Sequence, residues 1–86
     1  MGRPPISSFE KQLRNEIANN LKSITRGMTQ AQISELTGIP TSTLSGYFAK
    51  RSTIKEENLT KIAKAFNVDK ADIDPRHSRN YNFIDL

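Results

Sequence analysis

The strongest constraint on this chain is a three-residue joint, Gly38-Ile39-Pro40, set between two short segments that both read as helix. Thr29 stands where a hydroxyl can cap a helix running to about Thr37, and Gly38 fits the left-handed position that closes one. Pro40 suits the first turn of the next helix, because its fixed φ is already helical and its missing N–H is not needed there. That next helix is predicted over 41–49, with Leu44, Tyr47 and Phe48 at i, i+3, i+4 on an inward face. A joint this short and containing glycine is too tight for antiparallel packing, and implies a crossing of roughly 90–120°. Such a pair cannot bury itself. It needs other helices behind it, and the far side of its second helix is left projecting.

The rest of the chain supplies those helices. Phe9, Leu13, Ile17, Leu21 and Ile24, with Ala18 beside them, mark one face of a helix starting near Ser8. Ser7 and Glu10 read as its capping box and Gly27 as its C-cap. In the second helix, Ile33 with Leu36 or Ala31 is expected to face inward. Residues 50–55, KRSTIK, read as a polar connector. A fourth helix fits 56–67 on Leu59, Ile62, Ala63 and Phe66, with Glu56 and Glu57 matching its positive N-terminal dipole. Asp69 can cap a last short turn in which Ile73 packs back, and Pro75 stops it. Pro4 and Pro5 hold 1–6 as an extended basic arm, and 75–86 reads as a tail or the start of a linker. No alternating strand pattern, repeat or low-complexity segment is visible. The expectation is an all-α chain: a compact bundle of four to five helices over 7–74, built around the helix pair at 29–49.

Composition narrows the function. Eighty-six residues make one domain with little room for a roofed active-site cavity. There is no cysteine and one histidine, His77, so a zinc site has no ligand set and a serine–histidine triad no core. No glycine-rich phosphate loop is present. Neither an enzyme, a cofactor nor a small-molecule substrate is expected. The absence of disulfides, of a secretory leader and of a ~20-residue apolar run points to the cytoplasm and away from a membrane. Charge is uneven: residues 1–55 hold eight Lys/Arg and three Asp/Glu, residues 56–86 five and six. A basic front and a near-neutral back suit a polyanion on one side.

The outward face of the predicted third helix carries Thr41, Ser42, Ser45 and Gly46. A B-DNA major groove, ~12 Å wide, admits one α-helix, and small side chains let its axis sit deep. Hydroxyls can donate to or accept from base edges, and a threonine methyl can touch the thymine methyl. An apolar outward face would instead suit a protein partner.

At this point MTQAQISELTGIPTSTLSGYFAKR resembles the Cro/repressor helix-turn-helix family, to which lambda-type phage repressors belong. The matching points are Thr29-Gln30, Ile33 with Ser34, Gly38, and Ser42-Thr43-Leu44-Ser45. Downstream, Leu59, Ile62-Ala63-Lys64-Ala65-Phe66-Asn67-Val68 is similar to the family's fourth helix, so the likeness spans roughly 10–74. The resemblance implies a transcriptional repressor domain that binds double-stranded operator DNA as a homodimer. Pairing would come on the DNA or through a further C-terminal domain. By position, Thr41, Ser42, Ser45 and Gly46 would meet base edges. Gln30, Lys50, Arg51 and Lys55 would touch phosphates, and Arg3 in the arm would follow the groove.

Three departures bear on that transfer. Lys50 stands where the family usually has glycine, so it must take a left-handed backbone or let the helix continue. Phe48 replaces a commonly acidic residue and is expected to pack on the first or fourth helix. No Gln or Arg opens the reading helix, so the bidentate signals to adenine or guanine are missing, and specificity would rest on Ser/Thr contacts, water and DNA shape. A competing reading is an antitoxin-like or adaptor module whose main partner is a protein, with YNFIDL at 81–86 as a docking segment.

Overall fold

The computed structural model describes residues 7–78. They form α1 (Ser8–Ile24), α2 (Gln30–Thr37), α3 (Thr41–Phe48), α4 (Glu56–Phe66), α5 (Lys70–Ile73) and a 3-10 turn at Pro75–His77, with no strand among the described residues. The core is one cluster drawn from every helix: Leu13, Ile17, Leu21, Ile33, Ile39, Leu44, Tyr47, Ile54, Leu59, Ile62 and Ile73. No described helix is long and apolar enough to cross a membrane.

The face of α1 is Leu13, Ile17, Ala18 and Leu21. Phe9, expected on that face, is 41% exposed. Only half of the expected capping box forms. Ser7 Oγ accepts the Glu10 N–H at 3.1 Å, but the Glu10 carboxylate takes Arg14 Nε at 3.0 Å instead of returning to the cap. The helix ends at Thr25, whose hydroxyl donates to the Leu21 carbonyl at 2.7 Å. Gly27 therefore is not the cap: it supplies the left-handed step (φ 83°) of the turn that follows.

Thr29 caps α2 as its sequence implies, and reciprocally. Its Oγ1 accepts the Gln32 N–H at 3.1 Å, while its own N–H donates to Gln32 Oε1 at 2.9 Å. The inward face of α2 differs from expectation. Leu36 is 57% exposed and Ala31 is exposed; Thr37 is buried beside Ile33. Threonine is tolerated there because its hydroxyl is fully used, donating to the Ile33 carbonyl at 2.7 Å and accepting the Ile39 N–H at 3.2 Å. Gly38 takes the left-handed cap (φ 79°) and Ile39 is fully buried, so the joint is anchored in the core. That anchoring fixes where α3 leaves α2.

Behind α3, Tyr47 is buried and its hydroxyl accepts from Asn58 Nδ2 of α4 at 2.7 Å. The connector 50–55 is not wholly polar, since Ile54 inserts into the core. The residues after Ile73 also hold to the fold. Asp74 is 1% exposed, and its carboxylate accepts from the Arg76 backbone N–H, Nε and Nη2. Arg76 Nη2 also donates to the Ile54 carbonyl at 3.0 Å. Residues 75–77, which the sequence suggests are tail, are thus tied to the connector ahead of α4. The arm 1–6 and residues 79–86 lie outside the described residues.

Candidate nucleic-acid interface

One side of α3 is fixed by Leu44 and Tyr47 in the core, with Phe48 packed against it. A helix places its opposite side at the intervening positions. Thr41 and Ser42 are exposed there, and Ser45 and Gly46 are half-buried at its flanks. Ala49 is also exposed and, seven residues after Ser42 and four after Ser45, continues the same face. It is absent from the residues inferred from sequence, although the helical count already places it there. The resulting surface is short, polar and free of charge. A Cβ built on Gly46 meets only Ser52 Oγ, at 3.9 Å, so packing does not require glycine at this position.

The end of α3 is a left-handed cap made by a lysine. The Arg51 N–H donates to the Gly46 carbonyl at 2.9 Å and the Lys50 N–H to the Tyr47 carbonyl at 3.1 Å, around Lys50 at φ 63°. This pair of bonds is the Schellman pattern, whose pivot is normally glycine. Of the two outcomes open from sequence, the strained backbone is the one adopted. The turn leaves Lys50 and Arg51 exposed beside the last residues of α3, and Lys55, the N-cap of α4, is exposed as well.

Gln30 is exposed in the first turn of α2 and borders a cleft of ≈ 420 Å³ that Lys22, Arg26 and Phe48 also line. Two cations of α1 and the turn after it therefore stand next to the α2 N-terminus, whose amides favour anions. Neither was singled out in the sequence; Lys22 in the last turn of α1, and Arg26 beside Gly27, hold too little local pattern to show it. Phe48, expected to pack on the first or fourth helix, is partly buried against the common core cluster and borders this cleft. Glu35 is the only carboxylate between residues 29 and 55. The pKa of Glu56 is lowered, chiefly by its hydrogen bond from Lys70; desolvation opposes this, and the weaker pull of His77 adds to the lowering. That cluster, with its mixed charges, belongs to α4, α5 and the 3-10 turn. Among the described residues no group of His, Cys, Asp or Glu could hold a metal ion. Arg3 lies outside the described residues.

Among the described residues, five helices with a glycine joint holding α3 against α2, and a small polar face turned outward, define a helix-turn-helix protein. A helix-turn-helix family model matches residues 24–73, and the chain belongs to that family, the DNA-binding regulators of the Cro/repressor type. No curated protein and no solved structure matches the chain.

Proposed function

We propose that the chain is a sequence-specific transcriptional repressor domain of phage type, acting in the cytoplasm by placing α3 in the major groove of an operator. The observation that carries this reading is the outward face of α3: Thr41, Ser42, Ser45 and Gly46, small enough for close approach, on a helix whose other side is locked in the core. Hydroxyls there would read base edges, and Gln30, Lys50, Arg51 and Lys55 would hold phosphates on either side, with Arg3 following the groove. One copy offers a small interface, so two copies would bind successive major grooves ~34 Å apart on one duplex face. Repression would follow from occupying promoter DNA against polymerase.

The test is binding to a duplex selected from a random pool. Ser42→Glu and Ser45→Glu put a bulky carboxylate into the groove at the base edges, between two phosphate chains, and should abolish binding while the helical spectrum and melting stay intact. Normal binding by both variants would remove α3 from the interface. Leu36, 57% exposed beside Met28, Gln32 and Glu35, is the observation that favours a second reading, an antitoxin-like or adaptor module with a protein as main partner. In that case Leu36→Ser would disrupt function while the two serine variants would not.

A further inference from the structure

Among the described residues, two other than glycine have a left-handed backbone, Lys50 (φ 63°) and Asn67 (φ 55°). Asparagine tolerates that region; lysine gains nothing from it, and glycine would make the same cap without strain. A strained residue held in place by its surroundings is a reason to ask what its side chain does. The side chain of Lys50 borders a cleft of ≈ 470 Å³ whose remaining walls are Lys11, Gln12, Arg14 and Asn15 of α1.

Each residue lining this cleft carries a hydrogen-bond donor at the end of its side chain and none is a carboxylate, although most of the lining surface itself is apolar. The two nearest acids in sequence are already engaged, Glu10 with Arg14 and Glu16 with Gln12. Lys11, Asn15 and Lys50 have no side-chain partner among the described residues. The cleft under the 3-10 turn makes the contrast: there Lys55, Arg76 and His77 share their space with Glu56 and Asp74. Charges are matched in one cleft and left open in the other.

The geometry points to the α1–Lys50 cleft as a seat for a DNA backbone phosphate, held by Lys11, Asn15 and Lys50 outside the helix-turn-helix. The inference rests on the proposed docking of α3 and extends it. With α3 in the groove, its C-terminal end carries Lys50 and Arg51 toward one strand, and α1 alongside would grip a further phosphate of that strand. Two lysines and an amide suit an oxyanion with several acceptor oxygens. The strain at Lys50 is then the cost of turning a cation into the cleft.

Full-length chain, Lys50→Gly, Lys11→Ala and the double variant are titrated with the selected duplex across a salt series, and each is melted. Lys50→Gly should melt higher, because glycine relieves the left-handed strain, yet bind more weakly. Each single variant should lower the log–log salt slope by about 0.9 and the double variant by about twice that. Lys61→Ala and Lys64→Ala, on α4, should leave the slope unchanged. Unchanged slopes for Lys50→Gly and Lys11→Ala, with Ser42→Glu still abolishing binding, would overturn the phosphate seat and leave the docking of α3 standing. Normal binding by Ser42→Glu would fell the docking itself. Millimolar inorganic phosphate shifting the Asn15 and Lys50 amide resonances, with the slopes unmoved, would make the seat one for a free anion and overturn its assignment to DNA.

Discussion

Gly46→Ala separates what the fold asks of α3 from what DNA would ask of it. Gly46 lies inside α3 without a positive φ, and an added Cβ touches only Ser52 Oγ at an ordinary 3.9 Å. Glycine in a helix interior is roughly 0.5–1 kcal/mol worse than alanine, so the variant should be more stable by about that much. In a domain of this size each kcal/mol moves Tm by roughly 4–8 °C, which gives a rise of ~2–8 °C. A methyl forced into a close-fitting contact costs about 1–3 kcal/mol. If α3 docks on this flank, binding should weaken by about 5–150-fold. Thermal melting by circular dichroism and fluorescence anisotropy with the selected duplex measure the two effects on one sample. Raised stability with unchanged affinity would show that Gly46 does not face DNA. Lowered stability would refute the packing argument itself.

Other substitutions test the scaffold. Leu44→Ala removes the core contact that holds the reading helix and should cost roughly 2–5 kcal/mol in urea unfolding; a cost well under 1 kcal/mol would mean that α3 is not anchored there. Arg76→Ala leaves the buried Asp74 carboxylate with one backbone N–H as its remaining donor from that turn, and should lose about 1–3 kcal/mol although the site lies past the last α-helix. A wild-type melting curve would show instead that the 3-10 turn is dispensable. Glu56 has a lowered pKa in the fold, so its contribution to stability is present above the unfolded carboxylate pKa and fades as pH falls through the folded one. Between neutral pH and about 3, wild-type Tm should drop slightly more than that of Glu56→Gln. Parallel curves would remove Lys70 and His77 as partners that matter.

Much of this fold is legible in the sequence where local chemistry decides it. The 3.6-residue stripes of α1 and α4, the hydroxyl of Thr29 and the glycine of the joint each act within one or two turns, and each appears where its spacing places it, Phe9 at the start of α1 excepted. Misreadings come where a side-chain hydrogen bond or a distant partner decides. Thr37 displaces Leu36 from the inward face because its hydroxyl closes two bonds inside the turn, a gain invisible to a count of apolar residues. Ile54 sits in a polar run and is buried because the connector crosses the core edge. Asp74 and Arg76 look like ordinary tail charges until the Ile54 carbonyl supplies the third partner, 22 residues away in sequence. At the candidate interface, the outward face of α3 follows from helical arithmetic alone. The neighbours that α1 brings to it, Lys22 and Arg26 at one end and Lys11 and Asn15 at the other, depend on how α1 crosses α3.

Methylation interference asks most directly which groove α3 enters. Dimethyl sulfate marks guanine N7 in the major groove and adenine N3 in the minor groove of the same selected duplex. Guanine N7 methylation should block binding at two patches about one helical turn apart, and Ser42→Glu should bind neither methylated nor unmethylated DNA. Interference from adenine N3 alone, or from neither mark, would contradict a reading helix in the major groove.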